Sequence, residues 1–244
     1  MSTNLDALVE AWPRIIGGVV VTTELTLGGA ALAFGLALVL GYAVGAHSRW
    51  IRYPARVVIE FFRGTSLLVQ LFWLFYVLPL FGYQLEPMLC GVLALGLNYG
   101  AYGARWFGGA MAAVPIAQKE ACIALGFSPW LQVRKVLFPQ AWVQMVPPLT
   151  NLLIQLLKGS ALASFILLQD LTYQIEQLRR GTGDTIFAFG VGLIIYFVLA
   201  YALTLVMNVV EIRAKRRLGL GPSLREVLSI KPDRGDELVG VGGR

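Results

Sequence analysis

EACIALGFSPWLQVRKVLFP, residues 120–139, holds two helices with a stop between them. Pro115 opens the first, and the run 116–125 keeps a helical pattern until Gly126, a residue that takes the left-handed conformation ending many helices. Ser128 then caps a second helix that has Pro129 at its first position. Ala117, Ala121 and Ala124 recur at helical spacing beside Glu120, and small side chains let a partner approach closely. The spacing predicts an elbow of helix, glycine turn and helix.

Outward from this elbow the chain is almost free of charge. Residues 15–46 carry only Glu24, and 64–85, 87–104, 136–157 and 185–210 carry no charge. Each run approaches or exceeds the roughly 20 apolar residues of a membrane span. With 57% hydrophobic and 14% charged residues, the chain is too apolar for a soluble domain, in which about a quarter of residues are charged. The expectation is an all-α integral membrane protein with five transmembrane helices, and an odd number puts the termini on opposite sides.

The net charge of +6 falls in short clusters beside the spans: Arg49, Arg52 and Arg56; Lys119, Arg134 and Lys135; and Arg213, Lys215, Arg216 and Arg217. That placement follows the positive-inside bias and argues against a nucleic-acid partner. It makes the elbow and the C-terminus cytoplasmic, the N-terminus extracytoplasmic, and the location a multi-pass cytoplasmic (inner) membrane. The domain reading is an extracytoplasmic or interfacial segment 1–14, a transmembrane domain 15–212 containing the loop 115–139, and a low-order cytoplasmic tail 213–244 with a short helix over 223–230. Leu5, Leu8, Val9 and Trp12 fall at the spacing of an interfacial helix. Cys90 and Cys122 lie at opposite ends of the membrane domain and form no disulfide.

Polar groups inside the spans are the candidates for function. Arg63 lies roughly 15 Å along the helix from Tyr53 at about 1.5 Å per residue, near the midplane. Glu60, three residues earlier, either neutralises it or shares a substrate role. A pathway-facing guanidinium suits a carboxylate, and Thr65, Gln70, Trp73 and Tyr76 offer hydrogen bonds and aromatic faces for a cationic group. Asn98, Arg105, Asn151 and Lys158 complete the pathway candidates. The glycine pairs 17–18 and 28–29 suit close helix packing, while Pro147-Pro148 beside Thr150, Asn151 and Gln155 marks a kink or a polar pathway.

Glu120-Ala121-Cys122, Gly126, Val136, Phe138 and Pro139 resemble the E-A-A, G, I-x-L-P loop of binding-protein-dependent ABC permeases, with Cys122 for alanine, Val136 for isoleucine and Phe138 for leucine. The resemblance runs over about residues 18–208. Phe62-Arg63-Gly64-Thr65, Pro139-Gln140-Ala141 and Pro147-Pro148-Leu149-Thr150-Asn151 are similar to permeases of the polar amino acid type. Within that group, residues 64–66 and 70–82 look like the permeases for ectoine and hydroxyectoine uptake, whereas Arg105 stands where such permeases usually carry glutamate.

What the resemblance implies is a type I ABC importer transmembrane domain whose loop is a coupling helix. Glu120, Ala121, Cys122, Ala124, Gly126 and Pro139 would dock on an ABC ATPase dimer. Further partners implied are a second homologous permease subunit or a second copy, an extracytoplasmic solute-binding protein, and membrane lipid. The implied cargo is a polar zwitterion, ectoine or hydroxyectoine, with a basic or acidic amino acid as the alternative.

The chain has no G-x-x-x-x-G-K-[ST] loop, so ATP and Mg are expected on the ATPase partner and no cofactor on this chain. One histidine, His47, and no cluster with metal-ligand spacing argue against an enzyme or a metal site. A passive channel or scaffold would share the polar spans but has no use for the elbow.

Overall fold

A computed structural model describes residues 4–46 and 48–217. His47 and the segment expected to form a short helix over 223–230 lie outside the described residues. All regular elements among the described residues are helices: α1 (Asn4–Val44), α2 (Arg49–Gly64), α3 (Leu67–Phe72), α4 (Pro87–Ala112), α5 (Ile116–Ala124), α6 (Pro129–Gln132), α7 (Phe138–Ser160), α8 (Leu171–Thr182) and α9 (Thr185–Arg217). A π turn over Trp73–Val77 and a 3-10 turn over Leu78–Phe81 extend α3, and a second π turn, Val133–Leu137, joins α6 to α7.

α1 has 41 residues, about 60 Å at 1.5 Å per residue. The expected interfacial segment is therefore the start of the same helix, and Ala11 and Ile15 pack on Leu171, Ile175 and Ala188 of α8 and α9. At the other end, α9 continues to Arg217, past the expected start of the tail at residue 213.

α4 is the centre of the bundle, with Gly91, Ala94, Gly96, Gly100, Ala101, Gly103 and Ala104 among its buried residues. Small side chains bring it against α1. A Cβ on Gly96 would lie 2.8 Å from the Leu32 Cβ, and one on Gly41 would lie 3.0 Å from the Ala104 carbonyl oxygen. The facing pairs Gly28–Val92, Gly29–Leu95 and Gly41–Phe107 advance together along both helices, so α1 and α4 run parallel. Their C-terminal ends meet the start of α7 in a cluster of Leu38, Phe107, Val114, Phe138 and Ala141. The clusters containing Arg49, Lys119, Arg134 and Arg213 gather at this end, which is the basic end of the bundle.

Among the described residues three helices are long and apolar enough to cross a membrane: Asn4–Val44, Pro129–Ile166 and Thr185–Arg216. The pair Arg49–Gly64 and Leu67–Phe81, bent by 100°, brings the number to four at most. α4 has 26 residues, enough length, but its glycines, Asn98, Tyr99, Tyr102 and Arg105 make it less apolar. Length and apolarity thus do not establish the expected count of five.

The second expected span is not one straight helix, although Tyr53 and Arg63 both lie within α2. α2 stops at Gly64, and Thr65 and Ser66 are extended. The carbonyls freed at this bend are held by side chains. The Gln70 Nε2 and Asn98 Nδ2 amides each donate to the Phe62 carbonyl at 2.9 Å, and the Thr65 hydroxyl donates to the Phe61 carbonyl at 2.8 Å. A break in an apolar environment requires such partners.

Candidate functional site

The elbow forms as its local signals dictate. Pro115 precedes α5, Gly126 has φ +69°, and the Ser128 hydroxyl accepts the Leu131 N–H at 3.4 Å with Pro129 at the helix start. The Gln132 amide donates to the Phe127 carbonyl at 2.9 Å and ties the second limb to the turn. Glu120, Ala121, Ala124 and Gly126 are exposed, as are Ile116, Ile123, Leu125 and Trp130. Solvent-exposed apolar residues on a nine-residue helix form an unpartnered surface.

Two of the expected docking residues are placed otherwise. Cys122 is 3% exposed, because it is the one α5 side chain turned toward the protein. Pro139 is half-buried in α7 beside Phe34, Trp142 and Arg213. The second limb does not end before a span: α6 runs through the π turn into α7, so this limb is continuous with a spanning helix.

Glu60, Arg63 and Arg105 form one ionic cluster. Glu60 Oε2 meets Arg63 Nη2 at 3.0 Å on α2, and Glu60 Oε1 meets Arg105 Nη1 of α4 at 3.3 Å. One carboxylate is shared between two guanidiniums, leaving one positive charge in excess. Two tyrosines of α4 bind the neighbouring helices α2 and α7. The Tyr102 hydroxyl donates to the Arg63 carbonyl at 3.3 Å, and the Tyr99 hydroxyl donates to the Gln155 carbonyl of α7 at 2.8 Å.

α7 continues this polar surface. Gln144, Pro147, Asn151, Gln155 and Lys158 are all exposed, and their spacings of three and four place them on one face. The double proline does not break the helix, which is continuous from Phe138 to Ser160.

Thr65, Gln70 and Asn98 are instead gathered around the Phe62 carbonyl, with Gln70 Nε2 also 2.6 Å from the Thr65 hydroxyl. Their polar atoms hold the bend. Trp73 shares an apolar cavity of about 280 Å³ with Phe61, Phe62, Thr65 and Gln70, and the Tyr76 hydroxyl donates to the Phe165 carbonyl at 3.3 Å. Tyr99, Tyr102 and Gln144 were not among the expected pathway residues. Their signal was spacing: Tyr99, Tyr102 and Arg105 recur every three residues along α4.

At the end of the bundle opposite the elbow, Asp170 caps α8 and is fully buried, its carboxylate accepting the Tyr173 N–H at 2.9 Å. Burial outweighs that hydrogen bond and pushes the carboxyl up to about 6. Among the described residues no group of His, Cys, Asp and Glu is placed to hold a metal ion.

Residues 37–216 match the model of the binding-protein-dependent transport system inner membrane component family. A probable amino-acid ABC transporter permease of Sinorhizobium fredii is 40% identical over 210 residues, covering 83% of this chain and 87% of that protein. The L-cystine transport system permease of Bacillus subtilis is 34% identical over 206 residues, covering 84% and 88%. Among solved structures, an amino acid ABC transporter with histidines superposes with a TM-score of 0.79 at 30% identity, covering 87% of this chain and 100% of that one. The fold is that of a type I ABC transporter permease, a multi-pass inner-membrane transport subunit rather than an enzyme, and the chain belongs to the binding-protein-dependent transport system inner membrane component family.

Proposed function

We propose that this chain is the permease subunit of an importer for a polar amino acid, and that the face carrying Glu60, Arg63, Arg105, Asn151 and Lys158 lines the solute pathway. The observation that carries this reading is the shared carboxylate. Glu60 holds two guanidiniums and leaves one positive charge in excess, on a face that includes the polar stripe of α7. An isolated charge is expensive inside a membrane and marks a water-filled path or a protein neighbour. A solute carboxylate would compete with Glu60 for Arg63 or Arg105, and the solute ammonium would in turn be drawn to Glu60. A second permease subunit facing the same stripe would close the pathway.

The exposed elbow is the docking surface for an ATPase dimer, which binds ATP and Mg. Because α6 and α7 are one continuous helical run, movement of the elbow is transmitted directly to the polar stripe. The basic end is cytoplasmic, the N-terminus is extracytoplasmic, and an extracytoplasmic binding protein delivers the solute.

The relatives named above are amino-acid permeases, which supports an amino acid over the ectoine expected from residues 64–66 and 70–82. Uptake by vesicles holding the assembled complex, with ATP inside and the binding protein outside, separates the two. Labelled L-cystine, histidine, arginine and glutamate are compared with ectoine and hydroxyectoine. Transport of an amino acid with no transport of either ectoine is expected, and the reverse pattern overturns the amino-acid reading.

A further inference from the structure

The face of α7 opposite the polar stripe is apolar. Trp142, Val146, Leu149 and Leu153 lie half a turn away from Asn151 and Gln155, and with α1 and α9 they wall a groove of about 440 Å³. The groove meets the surface at Leu27 of α1 and Val206 of α9, which are 60% and 63% exposed. A second cavity shares Phe34, Trp142 and Val210 with it and runs on to the basic end, where Arg213 forms its wall. The two cavities make one groove, apolar along its length and ending at a guanidinium.

Three observations bear on what fills it. The groove lies between three helices long and apolar enough to span a membrane. Its wall is aromatic: the Trp142 ring contacts Phe34 edge-on at 5.9 Å and Phe138 at 6.1 Å between centroids. Arg213 is exposed and has no ion pair among the described residues. Glu211, two residues away, is bound to Lys215 at 2.6 Å.

We propose that this groove is a binding site for an anionic phospholipid, with an acyl chain along Trp142, Leu149 and Leu153 and the phosphate on Arg213. Basic pockets between spanning helices at the cytoplasmic surface recognise acidic headgroups in this way. A second permease chain would be drawn to the polar face of α7, where unpaired polar groups need protein or water. The apolar face is left to lipid. The lipid bridges α1, α7 and α9, and α7 is the helix that joins the elbow to the polar stripe. This inference does not depend on which solute is carried.

The test uses the intact complex. A photoreactive phenylalanine analogue in place of Val206 is irradiated in vesicles of equal phosphatidylglycerol and phosphatidylcholine with identical chains. The expected product is this chain heavier by one phospholipid; a crosslink to a second permease chain or another polypeptide overturns the proposal. Native mass spectrometry of the lipid retained by the unlabelled complex then reads the headgroup. About fivefold enrichment of phosphatidylglycerol is expected from one arginine near the surface. Arg213→Gln should bring the ratio to about one with total retained lipid unchanged, and Ala31→Trp, which fills the groove from an exposed position, should remove the lipid itself. An unenriched wild type, or enrichment that survives Arg213→Gln, refutes the assignment.

Discussion

Replacing Gly126 separates backbone conformation from contact at the elbow. Its φ of +69° is in the left-handed region, and a Cβ built there meets nothing within 4 Å. In the free subunit the whole cost of a side chain is therefore conformational. Alanine should cost about 1–2 kcal/mol, a factor of roughly 5–30 in the population of the bent elbow. A β-branched valine should cost more, whereas asparagine, which visits this conformation readily, should cost least. If docking on the ATPase requires the bend, the apparent affinity should fall in the order glycine, asparagine, alanine, valine, with alanine weaker by about tenfold. The assay is titration of the purified ATPase subunit against membranes containing equal amounts of each variant, with stimulated ATP hydrolysis as a second reading. Asparagine as damaging as valine would mean that the partner rejects any side chain. Unchanged binding for valine would refute the conformational argument.

Other outcomes follow from the remaining geometry. Glu60→Gln removes the carboxylate shared by Arg63 and Arg105; solute uptake should fall at least tenfold. The melting temperature should change little, because exposed ion pairs contribute about 1 kcal/mol or less. A large loss of stability would instead make the cluster structural. Asp170, pushed up to about 6 by burial, binds its proton more tightly folded than unfolded. Stability should therefore fall as pH rises from about 4 to 6, by on the order of 3 kcal/mol. Asp170→Asn, which keeps an N-cap side chain, should flatten that dependence in thermal melts. Gly96→Val should destabilise the α1–α4 contact by about 1–3 kcal/mol through overpacking. Gly35→Ala, where the new Cβ meets nothing within 4 Å, should be neutral, and equal melting temperatures for the two would remove the packing argument.

The elbow was legible in the sequence because each of its signals acts within a few residues. Pro115 and Pro129 fix φ at helix starts, Ser128 supplies a local acceptor, and Gly126 supplies the left-handed turn. The Glu60–Arg63 pair was legible for the same reason, being one helical turn apart. The 100° bend after Gly64 was not. It depends on Asn98, which binds the Phe62 carbonyl from 36 positions later, and a charge-free run through residues 64–85 reads as uninterrupted apolar helix. Nor could the partnership of Arg105 with Glu60 be read, since it depends on how α2 and α4 are rotated about their axes. Cys122 reads with its exposed neighbours because a nine-residue amphipathic pattern does not say which single side chain is buried.

In the proposed mechanism, ATP hydrolysis by the ATPase docked on the elbow moves solute along the polar face. Solute flux into sealed vesicles holding the complete complex tests it most directly, with ATP, ADP or a non-hydrolysable ATP analogue inside. Concentrative amino-acid uptake is expected with ATP alone, abolished by Gly126→Val although the complex stays inserted. Equal flux with ADP, or flux that only equalises the concentrations, would identify a passive channel and contradict it.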